Sequence, residues 1–250
     1  MTSNLIDVPR PVVRSTGASA PALVGLEIRK SLSTRSGKSV ALAAAVLAPV
    51  VVALMSLSGE PLDAVKGPIC ALGMVTALVL FPLGVLATAG EWSHRTVQTT
   101  FLVVPNRTKV MVSKTVAVAA MGATLAAIST ALTMAVLMVA PVGNPSWTGV
   151  TMAAGVSVAA GAAFAVIGAG VGAALANTPA ALTGLYLTIL GAMPALRIWK
   201  PAVADALDPS NAVLQLATGH GTTGNTLTLV GWVVVTTVVG TVVTHRRSVQ

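Results

Sequence analysis

The sequence predicts an all-α, polytopic membrane protein: six transmembrane helices with both termini in the cytoplasm. Three observations predict it. Only 9% of the 250 residues are charged, 54% are hydrophobic and the mean hydropathy is +0.85, whereas soluble domains carry about 25% charged residues. Apolar runs near the ~20 residues that cross a bilayer recur at 39–57, 68–90, 115–140, 149–176, 179–196 and 227–244. The fifteen basic residues are also distributed unevenly between those runs.

The chain opens with a proline- and serine-containing stretch, residues 1–21, which lacks periodicity and reads as a disordered cytoplasmic tail. Residues 22–250 form the transmembrane domain. Between 22 and 35, Val24, Ile28 and Leu32 recur at i, i+4, i+8, which suits a basic helix lying on the membrane with its apolar side down. The first apolar run begins too far along the chain for a cleavable signal and reads as a retained anchor. Pro49 and Pro82 fall inside the first two spans and are expected to kink them.

The fourth span is rich in glycine, with Gly168 and Gly172 at the GxxxG spacing that allows close helix packing, either within the chain or at a subunit seam. The fifth is short and separated from the fourth only by Asn177 and Thr178; the pair reads as two spans or as one broken hairpin. Before the last span, residues 197–226 hold Trp199 beside Lys200, an interfacial anchor. There follows a stretch that is either a plain loop or a short helix capped by Ser210 or Asn211.

Orientation follows from the basic residues. With the N-terminus inside, Arg10, Arg14, Arg29, Lys30, Arg35, Lys38, Arg95, Arg107, Lys109, Lys114, Arg246 and Arg247 face the cytoplasm. Only Lys66, Arg197 and Lys200 face outward. The net charge of +8 is thereby assigned to an anionic membrane surface rather than to nucleic acid.

The chemistry-bearing motifs are sparse. Ser36-Gly37-Lys38-Ser39 mimics the end of a phosphate loop, but Leu32 stands where its first glycine belongs and no strand precedes it. His94, His220 and His245 are scattered and Cys70 is the single cysteine, so neither a metal site nor a disulfide framework is expected. No HExxH or GxSxG occurs. The spans offer no ladder of acidic residues for ion coupling.

The most informative stretch is 91–114. Trp92 marks a membrane edge, and Val97, Phe101 and Val104 recur at i, i+4, i+7 as in a short amphipathic helix. Pro105 stops that helix, Asn106 caps the next, and Lys109 and Lys114 are expected to snorkel where the third span starts. Periodicity alone leaves two uses for the short helix, docking in a groove of another protein or resting on lipid.

The stretch resembles the loop between the second and third spans of ABC-2 type transporter permeases. The resemblance is carried by Glu91, His94-Arg95-Thr96, Phe101-Leu102, Pro105-Asn106-Arg107 and Lys114, with Arg95 where that family usually has glycine. The leading Leu26-Glu27-x-Arg29-Lys30 also looks like the family's N-terminal surface helix. The resemblance implies the membrane subunit of a bacterial ABC exporter in the cytoplasmic membrane. Such a chain has no cofactor of its own; ATP and magnesium belong to separate ATPase subunits, and a second membrane subunit, identical or not, completes the assembly. Glu91, His94, Arg95, Thr96, Val97, Phe101, Pro105 and Arg107 would then receive the ATPase stroke, with Glu27, Arg29 and Lys30 as a second cytoplasmic contact. The uncharged spans point to an amphiphilic substrate such as a drug, peptide or lipid-like molecule. Two other functions stay open at this stage, a non-transporting anchor or sensor and an ion-coupled carrier.

Overall fold

Helices account for nearly all of the described chain. A computed structural model describes residues 19–59, 61–93, 106–141 and 143–247. A short helix, α1 (Ala20–Ser33), leads into α2 (Arg35–Leu57), α3 (Lys66–Ser93), α4 (Arg107–Val139), α5 (Val150–Leu175) and α6 (Thr178–Trp199). Two short helices, α7 (Pro201–Leu207) and α8 (Pro209–Thr218), precede the last, α9 (Thr223–Arg246). Six of these, α2 to α6 and α9, are long and apolar enough to cross a membrane. The expected tail falls almost wholly in residues 1–18, outside the described residues.

α3 and α5 form the hub. Their most apolar stretches are 61% and 67% buried, against 11% for α9, so α9 lies at the rim. Small residues make the hub possible. A Cβ on Gly168 would stand 2.3 Å from the Phe81 carbonyl oxygen, and one on Gly172 2.4 Å from Thr88 Oγ1. The GxxxG pair is therefore used inside the chain, against α3. Thr88 adds an interhelical hydrogen bond, its hydroxyl donating to the Ala169 carbonyl at 2.9 Å.

Proline shapes both α3 and α6, though neither helix ends at one. Pro82 has no N–H, so the Leu78 carbonyl one turn earlier loses its helical donor. The chain's single tyrosine replaces that donor: Tyr186 Oη donates to Leu78 O at 3.1 Å. Its ring also meets Phe81 edge-on at 6.2 Å, and Phe81 stacks on Phe164 at 4.7 Å, which joins α3, α5 and α6 in one core. In α6, Leu187–Ala192 widens into a π-helix, where Met193 N–H donates to Thr188 O. That wider turn lets Pro194 follow without breaking the span.

One open alternative is resolved here and other expectations are revised. α5 and α6 are two separate helices, as one of the two readings had it, turned by Ala176 in the left-handed region (φ 51°) and Asn177, whose side chain caps α6. The segment before α9 folds into two helices, and the cap of α8 is neither Ser210 nor Asn211. Asp208 fills that role, its carboxylate accepting from Ser210 N–H at 2.8 Å while also pairing with Arg197 at 3.0 Å. α8 packs its Ala212, Val213 and Ala217 into the bundle core. The apolar stripe of α1 is not spent on lipid alone, since Ile28 and Leu32 pack against the core formed by α2, α3, α4 and α5.

Two outcomes test this packing. Tyr186→Phe should lower unfolding stability in mixed micelles by about 0.6–1.7 kcal/mol, the range of hydrogen bonds between membrane helices; an unchanged midpoint would refute the role given to the tyrosine. Gly168→Leu should abolish stable accumulation. Gly155→Leu, in the same helix but with nothing near its Cβ position, should be tolerated.

Candidate functional site: a charged clasp at one end of the bundle

α1, the end of α3, the start of α4 and the end of α9 meet at one end of the bundle, here called proximal. Four charged side chains are packed together there. Lys114 Nζ donates to Glu91 Oε1 at 2.7 Å and to Glu27 Oε2. Lys30 Nζ donates to Glu91 Oε1 at 2.5 Å. The Lys114 and Glu91 side chains are only 3% and 7% exposed, whereas Lys30 remains 40% exposed. Among the described residues two positive and two negative groups meet there, and this pairing is what makes such deep burial of charge tolerable.

Local sequence explains how each member arrives. Leu23, Glu27 and Lys30 lie at i, i+4, i+7 on α1 and share a face. Glu91 falls in the last turn of α3. Asn106 caps α4 as expected, its side-chain oxygen accepting from Lys109 N–H at 3.0 Å. That places the helix start at Arg107, so Lys114 sits two turns inside it. Lys114 is thereby corrected from a snorkelling residue to the buried centre of the cluster. Its absence from the candidate coupling residues is the principal omission of the sequence reading, although a signal was present. A lysine among Val110, Met111 and Val116 needs an acid, and of seven acidic residues only Glu27 and Glu91 flank spans at this end.

A second set of contacts at the same end satisfies helix termini. The last carbonyls of a helix have no intrahelical donor and carry partial negative charge. Arg107 Nη1 donates to the carbonyls of Thr244 and Arg247 at 3.1 and 2.9 Å, closing α9. Arg247 Nη2 donates to Ala174 O at 2.8 Å, closing α5, and its guanidinium stands 5.4 Å from the Trp92 ring centroid. Residues 94–105 are thus bracketed by anchored positions: Glu91 and Trp92 before them, Arg107 and Lys114 after.

The remaining candidates sort clearly. Arg29 points outward and is exposed. His94, Arg95, Thr96, Val97, Phe101 and Pro105 lie outside the described residues. Gly37 of the phosphate-loop lookalike is buried in the α1–α2 turn, where a Cβ would stand 1.9 Å from Ser31 O. Its N–H donates to the capping Thr34 hydroxyl at 3.0 Å. Tight turning explains that glycine without a nucleotide. Among the described residues no group of three or more His, Cys, Asp or Glu is placed to hold a metal ion.

No family model matches the chain, and no curated protein matches it.

The cluster makes a direct prediction. Lys114→Met leaves two carboxylates sharing one lysine and should cost about 3–5 kcal/mol, as for a broken buried pair. Adding Glu91→Gln to Lys114→Met removes the carboxylate left in excess and leaves Glu27 with Lys30, so it should restore part of that loss. A double mutant no more stable than Lys114→Met alone, measured by thermal unfolding in detergent, would refute the pairing.

Proposed function

We propose that the chain is the transmembrane permease subunit of an ATP-driven ABC exporter, moving an amphiphilic substrate across a bacterial cytoplasmic membrane with a separate ATPase subunit. The observation that carries this reading is the cluster of Glu27, Lys30, Glu91 and Lys114, whose Glu91 and Lys114 flank residues 94–105 in sequence. It fastens α1 to both helices that bracket those residues. A force applied at 94–105 therefore reaches α3, α4 and α1 together through charge-assisted hydrogen bonds, which are short and strong. The link from Arg107 to the end of α9 extends the same force to the rim of the bundle.

Other features support the reading. The bracketing residues Glu91, Arg107 and Lys114 are those on which the ABC-2 resemblance rests, and Glu27 and Lys30 come from the helix with the second resemblance. Of the twelve described Lys and Arg residues, nine lie at the proximal end and only Lys66, Arg197 and Lys200 at the distal end, the asymmetry that the positive-inside rule associates with a cytoplasmic face. In this reading ATP and magnesium are held by the partner, and a second membrane subunit completes the path. Val97 and Phe101 present the apolar face to the ATPase, with His94, Arg95, Thr96 and Pro105 shaping the element, while Arg29 is free to meet the partner beside Glu27 and Lys30.

Co-expression with an ABC ATPase subunit that copurifies with the chain, followed by reconstitution, gives the test. Val97→Asp with Phe101→Asp should reduce ATP-dependent substrate movement at least tenfold while the partner's ATPase activity and the membrane level of this chain persist. Unchanged transport would overturn the coupling role. Gradient-driven movement without an ATPase would overturn the class.

A further inference from the structure

At the opposite, distal end of the bundle, α7 and α9 enclose a groove of about 770 Å³, within the range of small-molecule sites. We propose that this groove binds a single-chain amphiphile with a cationic head group. The proposal does not rest on ATP-driven export, because it concerns equilibrium binding to this chain alone.

The groove is graded in polarity along α9. Asp205, Thr222, Asn225 and Thr228 line it with Leu227 near the start of the helix, and Met193, Gly231, Trp232 and Val235 line it deeper with Thr236, whose hydroxyl is spent on the Trp232 carbonyl at 2.8 Å. From Asn225 to Val235 the helix rises roughly 15 Å at 1.5 Å per residue, about half the apolar thickness of a bilayer. An amphiphile in the distal leaflet has the same order, head at the surface and chain toward the midplane.

Two features make it a formed site. Its walls are held in place: Trp232 Nε1 donates to Leu207 O at 2.7 Å and Thr228 Oγ1 to Ala206 O at 2.8 Å, both accepting carbonyls lying in the last turn of α7. The floor is kept open by Gly231, whose missing Cβ would meet no atom within 4 Å. The preference for a cation comes from the polar corner. Asp205 and Asp208 share one guanidinium, Arg197, at 3.4 and 3.0 Å, and Asp205 is the charged side chain among the residues lining the groove. Lys200 is turned to the face of Trp199, 4.9 Å from its centroid. Asp205 is the more exposed of the two carboxylates.

The experiment uses Trp232 as the reporter. Trp92, Trp147 and Trp199 are replaced by phenylalanine in the full chain, which is placed in zwitterionic nanodiscs and titrated with a hexadecylamine brominated along its chain. Quenching should saturate. Gly231→Leu, which fills the open floor without displacing a neighbour, should weaken it at least tenfold. Gly155→Leu, equally uncrowded but on α5 and not among the residues lining the groove, should leave it unchanged and serves as the folding control. Asp205→Asn should bring the amine down to the affinity of the chain-matched bromo-alcohol. Quenching that rises without saturation, or that survives Gly231→Leu, would reduce the groove to annular lipid contact and overturn the site. Equal loss in both glycine variants would overturn its location, and equal affinity of amine and alcohol in the unsubstituted groove would overturn the cationic head.

Discussion

A lysine ammonium carried into an apolar helix bundle must bring its counter-charge with it, and the proximal half of this protein is arranged around that requirement. Lys114 lies two turns inside α4, where water does not solvate it, and its hydrogen bonds go to carboxylates from α1 and α3. Removing an ion from water without a partner costs several kcal/mol or more, so α1 cannot leave the bundle without exposing that deficit. Lys30 joins the cluster from the partly exposed edge. The short leading helix is thus part of the folded body.

The same economy governs helix ends. Orphan carbonyls at the ends of α5, α8 and α9 are each met by a basic side chain, from Arg247, Lys66 and Arg107 respectively. These charged residues therefore serve as fasteners between helices. Against them stands the α3–α5 hub, where glycine and alanine bring backbones into contact and little can move without a clash. A rigid centre with a rim held at its ends by a few ionic links suits a machine driven from one end. This is why the clasp, rather than any cavity, carries the functional proposal.

Much of this architecture was legible in the sequence because the bilayer imposes a simple rule of length and hydropathy. All six spans were found, and the Asn106 cap was read from local chemistry that does not depend on tertiary structure. The misses share a cause: each depends on a partner distant in sequence. Lys114 looked like a residue that snorkels until Glu27 and Glu91 came beside it. Tyr186 had no evident task until Pro82, more than a hundred residues earlier, left Leu78 O without a donor. Asp208 is the exception, since its cap bond goes to Ser210 N–H only two residues on and Asp208 before Pro209 was a local signal. Gly168 and Gly172 signalled close packing, but their spacing did not say against which helix. Of the candidate coupling residues, Glu27, Lys30, Glu91 and Arg107 converge on one end of the bundle, whereas the stretch from His94 to Pro105 was assigned by resemblance.

The proposed function requires the proximal end to face the cytoplasm, where an ATPase partner would act, and sidedness is directly measurable. In a Cys70→Ala background, single cysteines are placed at Arg29 on the proximal end and at Ile198 on the distal end, both exposed. Intact cells are then treated with a membrane-impermeant maleimide. The account predicts labelling of Ile198→Cys in intact cells and of Arg29→Cys only after permeabilisation. Labelling of Arg29→Cys from outside would contradict it, and with it the placement of the charged clasp beneath an ATPase.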